Sequence, residues 1–175
     1  MNNFSFETFP TLKTERLILR ELTFSDVGVV FDLRSSKEIN KFVGTKLVEN
    51  NDEAKDFIIK CNDLYKVKNR VLWGIEYQKK IIGTIVLHNI SLNEKYGEIG
   101  YKLKPEFQKK GIMSEALKKI LNFGIEKMNL KIIEAYTHKN NISSIALLEK
   151  HNFIFQKERK CKVYDFNRIF KLKTN

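Results

Sequence analysis

The chain has 175 residues, 42% hydrophobic and 30% charged, which suits a single domain with a substantial buried core and excludes a disordered segment. Its formal net charge of +11 raises a nucleic-acid partner, yet 26 of the basic residues are lysine and 6 are arginine, scattered over every segment. That distribution belongs to a solvated surface, and nucleic acid is not expected as a partner.

In chain order, residues 1–11 contain Glu7 and Pro10 without a long apolar run, so they read as an N-terminal extension rather than a signal peptide or anchor. Residues 12–175 read as one domain, with no repeat or Pro/Gly/Ser-rich linker to divide them. Arg16 to Leu22 suits a first strand, Ser25 to Ser35 a helix, and Asn51 to Val67 a second helix in which Ala54, Phe57, Ile58, Cys61, Leu64 and Tyr65 recur at helical spacing. Val71 to Ile90 reads as a hairpin. Glu98 to Leu103 alternates as a strand that Pro105 stops.

Directly after it comes Gln108-Lys109-Lys110-Gly111-Ile112-Met113-Ser114, a basic turn opening into a helix whose Met113, Ala116, Leu117, Ile120, Leu121, Gly124 and Met128 share one face. Helix starts expose N–H groups with no internal partner, backed by the positive end of the helix dipole, and Gly111 lets the backbone come close, so this junction is suited to a phosphate. Lys131 to His138 follows as a strand. Asn141 to Lys150 is a short helix capped by Asn140, Asn141 or Ser143, with Asn152 expected in the left-handed position just past its end. Phe155 to Leu172 suits a terminal strand pair turning at Tyr164 to Arg168. No run is long enough to span a bilayer, and Cys61, Cys161, His88, His138 and His151 show no metal spacing. The expectation is a cytoplasmic protein with reduced thiols, no metal and no membrane partner.

The segments Thr14 to Leu22, Ile81 to Ile85, Glu98 to Ala116 and Asn141 to Phe153, in that order, resemble the GNAT superfamily of acyl-CoA-dependent N-acetyltransferases. The likeness is to the RimJ/RimL-like branch, which acetylates N-terminal residues of ribosomal proteins. It implies an α/β (α+β) fold: a mixed, mostly antiparallel sheet of about seven strands, helices on both faces, and a splay between the fourth and fifth strands. It also implies acetyl-CoA as cosubstrate, an amine acceptor, and direct attack in a ternary complex. The acceptor is open between a protein N-terminus, a polyamine, an amino acid and an aminated antibiotic, and the assembly between monomer and homodimer. A non-catalytic module binding acyl-CoA or RNA on the same fold is the alternative.

On this resemblance Tyr101, Lys102 and Leu103 bind the pantetheine arm as a strand partner would, and Gln108, Lys109, Lys110, Gly111, Ile112, Met113 and Ser114 hold the pyrophosphate. Asn141 contacts the pantetheine or simply caps its helix. Lys118, Lys139 and Lys150 are further cations for the cofactor's phosphates. A backbone N–H near Lys102 or Leu103 meets the oxyanion. Glu98 is the first candidate base, with Glu21 and Glu76 behind it, and Ser144 the candidate acid, since Leu148 stands where many relatives carry a tyrosine. Phe42, Trp73 and Tyr101, with the segment Arg34 to Lys68 and the terminal strands, are expected to shape the acceptor pocket.

Overall fold

Strand alternation sends successive side chains to opposite faces, and here it sorts the apolar residues into separate layers on the two sides of one sheet. The computed structural model describes residues 4–174. Among the described residues the strands are β1 (Leu12–Lys13), β2 (Leu17–Arg20), β3 (Val71–Tyr77), β4 (Lys80–Ser91), β5 (Tyr96–Leu103), β6 (Ile132–His138), β7 (Ile154–Phe155) and β8 (Asn167–Lys173). They form an eight-stranded sheet of order β1-β2-β3-β4-β5-β6-β8-β7. Every pairing is antiparallel except β5 with β6.

Helices α1 (Val27–Ser35) and α2 (Asn51–Lys66) cover one face, where Val30, Ala54, Ile58 and Cys61 meet Leu72 and Ile81. Asn50 starts α2, its side chain accepting a hydrogen bond from the Glu53 amide at 2.9 Å. Helices α3 (Ile112–Glu126) and α4 (Ile142–Lys150) lie in the larger core on the other face with Leu19, Trp73, Ile75, Ile85 and Leu87. Buried Ala116, Leu117, Ile120 and Leu121 bear out the helical period expected for α3. Residues 4–11 are not free of the body: Phe4 packs edge-on against Phe123, and Phe9 against Tyr65 and Trp73. Trp73, expected near the acceptor, is a core residue with 0% exposure whose Nε1 donates to the Pro10 carbonyl at 2.7 Å. Its large ring belongs with the apolar layer, and only its one polar atom needs a partner.

The expected mixed, mostly antiparallel sheet is found, and its count reaches eight among the described residues because β1 and β7 are two-residue pieces, too short for any alternation to register. The terminal pair is likewise lopsided: β7 ends at Phe155, and the charged run from Lys157 to Lys162 forms a loop before β8. Its turn closes where the Asn167 amide donates to the Tyr164 carbonyl at 3.0 Å, so Arg168 already belongs to the strand.

Two backbone details position the site. Gly83 lies where an added Cβ would stand 2.4 Å from the Lys102 carbonyl, so β4 and β5 approach this closely only because residue 83 has no side chain. And β6 pairs with β5 only through Tyr96↔Ile132, Gly97↔Ile133 and Glu98↔Glu134, whereas it pairs with β8 along its whole length. From Ile99 onward β5 and β6 diverge. This is the expected splay, with its vertex at Glu98.

Candidate active site

Beyond the vertex, β5 presents one edge to β4 and leaves the other open. The Lys104 amide donates to Ile82 at 2.9 Å, and Thr84 faces Lys102, Val86 faces Gly100. Because antiparallel partners alternate between bonded and non-bonded pairs, the Lys102 amide and carbonyl are turned to β4, while those of Ile99, Tyr101 and Leu103 face the opening. Of the backbone groups named for the oxyanion, that of Leu103 lies on the open side and that of Lys102 does not.

Below the open edge, a turn over Pro105–Phe107 leads to α3. Lys109 (φ 58°) and Gly111 (φ 75°, ψ 0°) both take left-handed backbone conformations, and Gly111 is the residue before the first helical turn. Alternating left-handed positions before a helix turn successive N–H groups into one concavity, the geometry that holds an anion. The turn is braced from three sides. Gln108 Nε2 donates to the Leu103 carbonyl at 3.1 Å, Arg16 Nη1 donates to the Lys110 carbonyl at 3.1 Å, and Arg16 Nε pairs with Glu115 Oε2 at 2.6 Å. Burial alone would raise the Glu115 carboxyl, but hydrogen bonds from Thr14 and Arg16 hold it below the usual carboxylate range. A fixed acid in the first turn of α3 is thereby neutralised. Ser114 is tied to the far helix, its Oγ 2.9 Å from His151 Nε2, while Ile112 is buried and Met113 packs against the core.

Helix α4 borders the opening from the other side. Asn141 is its N-cap, accepting from the Ser144 amide at 3.2 Å. At its other end, the Phe153 amide donates to Leu148 and that of Asn152 (φ 64°) to Glu149, a Schellman closure in which asparagine takes the left-handed place as expected. Leu148 is wholly buried in the core and offers no proton. Instead, the Tyr101 hydroxyl lies 2.8 Å from Ser144 Oγ. Burial pushes the Tyr101 phenol up to about 12, against the lowering effect of Ser144, so it is protonated at neutral pH.

On the opposite face of β5, strand alternation lines up Tyr96, Glu98, Gly100 and Lys102. The Tyr96 hydroxyl donates to Glu98 Oε1 at 2.9 Å, and His88 Nδ1 stands 3.9 Å from Glu98 Oε2. Burial lowers the His88 imidazole, opposed by Glu98, which favours a neutral ring. Across the vertex Glu134 is held by the Arg159 guanidinium through both oxygens and by the Tyr136 hydroxyl at 2.9 Å. Burial opposes ionisation of Glu134, but Arg159 and Tyr136 outweigh it and hold the carboxyl low. Lys102 reaches Asn40 Oδ1, and burial, with Arg34 nearby, pulls its ammonium down to about 8. The other acids named as bases are placed differently. Glu76 pairs with Arg20 at 2.6 Å, and Glu21 is exposed at the end of β2.

A cleft of about 560 Å³ opens beside Glu98, floored by Tyr136, Asn167 and Ile169 and walled by the 159–164 loop. That loop is docked by Tyr164, whose hydroxyl donates to Gly44 of the α1–α2 connection at 3.0 Å. Phe42 is one layer away, its ring 5.2 Å from His138, and neither it, Trp73 nor Tyr101 lines the cleft. The terminal segment lines this space. The segment Arg34 to Lys68 meets this region at Gly44, which anchors the wall, and at Asn40, which accepts from Lys102. The structure thus gathers Glu98, Tyr101, Lys102, Leu103 and Ser144 around the opening and Gln108 to Ser114 beneath it. Sequence reasoning missed Thr14, Arg16, Glu115, Glu134 and Arg159, each of which acts through a partner far away in the chain.

Comparison with known proteins agrees with this fold. A family model described as "Acetyltransferase (GNAT) domain" matches residues 16–154. The uncharacterized N-acetyltransferase YoaA of Bacillus subtilis (strain 168) is 36% identical over 152 residues, covering 86% of this chain and 85% of its own. Among solved structures, the ribosomal L7/L12 alpha-N-protein acetyltransferase RimL in complex with coenzyme A superposes with a TM-score of 0.81 at 18% identity, over 91% of this chain and 95% of that one. The microcin C7 self-immunity acetyltransferase MccE, in complex with acetyl-CoA and AMP, gives 0.80 at 20% identity, over 92% and 94%.

Proposed function

Since the chain belongs to the GNAT acetyltransferase family and is an acyltransferase, we propose that it transfers an acetyl group from acetyl-CoA to a primary amine by direct attack in a ternary complex. The observation that carries this reading is the parting of β5 and β6 immediately past Glu98, directly above the turn into α3. Pantetheine has an edge to pair with, a carboxylate stands at the vertex where that edge begins, and a phosphate has a nest beyond its far end. The CoA-bound and acetyl-CoA-bound forms of RimL and MccE support the donor. The likeness of fold is shared equally by RimL and MccE and leaves the acceptor amine open.

Acetyl-CoA supplies an activated thioester, and the chain supplies the rest. Lys109, Lys110 and the amides of Gly111, Ile112, Met113 and Ser114 hold the pyrophosphate, with Gln108 fixing the turn to β5 and Asn141 fixing the start of α4. The Tyr101 and Leu103 backbones pair with the arm, and the open-side amide of Leu103 meets the oxyanion, a role worth roughly 3 to 4 kcal/mol in comparable sites. Lys102 acts through its side chain, ordering Asn40 on the acceptor face. Glu98 takes the proton of the incoming ammonium, directly or through water, while Tyr96 fixes its other oxygen. Ser144, held by Tyr101, donates a hydrogen bond to the departing sulfur and so replaces the acid that Leu148 cannot be.

Thiol release from acetyl-CoA in the presence of primary amines, with CoA-induced thermal shift measured alongside, tests the reading. Amine-dependent release and a shift of the melting temperature are expected, and absence of any CoA shift overturns the proposal. Ser144→Ala is expected to lower kcat roughly tenfold with CoA affinity unchanged, the size of one lost hydrogen bond to a charged group. Full activity would return Ser144 to a packing role.

A further inference from the structure

The cleft beside Glu98 carries an uneven distribution of charge. Glu98 is the one carboxylate among the residues lining it, and it sits at the inner end, next to the vertex. The outer wall carries Arg159, Lys160 and Lys162. These cations are not equivalent. Arg159 is engaged bidentately with Glu134, whereas Lys160 and Lys162 form no ion pair among the described residues. Asn167 lines the same cleft, on β8 at the level of His138 and away from the vertex.

Each of these groups asks for a complementary group on one molecule. Glu98 is an acceptor, suited to the N–H donors of an ammonium. Lys160 and Lys162, held at the other wall by a loop pinned through Tyr164 to Gly44, ask for anionic oxygens. The space of about 560 Å³ is within the range of small-molecule sites. A polycation is disfavoured twice, by this wall and by the net charge of +11.

Resting on the acetyltransferase reading above, we propose that the acceptor is a small zwitterion, an amine that also carries a carboxylate or phosphate, with its ammonium directed to Glu98 and its anionic group held by Lys160 and Lys162. Chemistry at the amine balances simply. The nitrogen lone pair, freed when Glu98 takes one proton, attacks the thioester carbonyl to form the N–C bond; as the tetrahedral intermediate collapses the C–S bond breaks, and the second proton shed by the nitrogen leaves on the sulfur as free thiol. The anionic end takes no part in bond making and acts only in binding.

The test pairs each anionic amine with its uncharged counterpart: an amino acid with the amine lacking its carboxylate, and an aminoalkyl phosphate with the amino alcohol. A polyamine and peptides with free N-termini complete the panel. The anionic members are expected to show kcat/KM roughly tenfold or more above their counterparts, through KM rather than kcat. In the Lys160→Ala/Lys162→Ala double variant, whose changes lie on the outer wall, this preference is expected to vanish while CoA-induced thermal shift and turnover of the uncharged amines persist. The carboxylate and phosphate arms distinguish the two kinds of anion. Preference for the polyamine, for uncharged amines or for peptides alone would overturn the inference, as would a preference for anionic amines undiminished in the double variant. A CoA shift retained with no turnover of any member would overturn it too, leaving the donor site standing. Loss of the CoA shift in the parent protein would instead strike the acetyltransferase reading itself.

Discussion

Gly111→Asp is expected to raise the dissociation constant of CoA by about two orders of magnitude while leaving the protein without CoA folded. Two effects contribute to the loss. Gly111 has φ 75°, where a residue with a Cβ is penalised by roughly 1–2 kcal/mol. The new carboxylate would also occupy the nest of α3 amides that the pyrophosphate needs and would repel it. Folding should survive because aspartate is among the better residues before a helix and tolerates the left-handed region. The added Cβ would meet nothing closer than Arg16 Nη2 at 3.5 Å, an ordinary contact. Arg16, already engaged with Glu115 and the Lys110 carbonyl, would be drawn toward the new acid and away from its bracing role. Gly111→Ala separates the two effects, since it keeps the strain without the charge and should lose only about tenfold. Titration calorimetry with CoA, together with melting curves of the free proteins, reads both. Unchanged affinity in the aspartate variant would mean that the phosphate lies elsewhere.

What the sequence made legible follows the range of the interactions involved. The α3 stripe, the asparagine closure of α4 and the strand leading to Pro105 are local patterns within a few residues, and each is found where the period or the cap chemistry put it. Gly111 belongs to the same class, because a glycine between a basic turn and an apolar helix announces its own backbone requirement. The network around the site is of the other kind. Glu115 meets Arg16 across 99 positions, Ser144 meets Tyr101 across 43, and Asn40 meets Lys102 across 62. Nothing in the spacing of one chain encodes such pairs, which the sheet order creates by bringing β5 beside β6 and folding α3 back over β2. Trp73 fails as an acceptor residue for a related reason. Its alternation partner residues show it faces one side of the sheet, but only the helices decide that this side is the core. The 159–164 loop reads in the sequence as part of a terminal strand, and its conversion into a wall depends on contacts far along the chain, Tyr164 with Gly44 and Arg159 with Glu134.

Glu98→Gln should lower kcat by roughly 10² to 10⁴, the range for removing a positioned base, with CoA affinity intact. The replacement is close to isosteric, and its amide oxygen can still accept from the Tyr96 hydroxyl, so the vertex should stay closed. What is lost is the ability to take a proton from an ammonium, which at neutral pH is the dominant form of an alkyl amine. The defect should therefore shrink as the pH rises toward the acceptor's own pKa, where the free amine becomes abundant and needs no base. A structural role for Glu98 predicts a loss independent of pH. Glu134→Gln is the contrasting variant. It weakens the bidentate partner of Arg159, held at a carboxylate only 4% exposed, and should appear as lost stability. Rates for the parent and the two variants measured from about pH 6 to 10, with unfolding curves beside them, separate these roles. A Glu98→Gln variant as active as its parent across that range would remove Glu98 as the base and leave water or the neutral His88 ring, 3.9 Å away, as the proton's first destination.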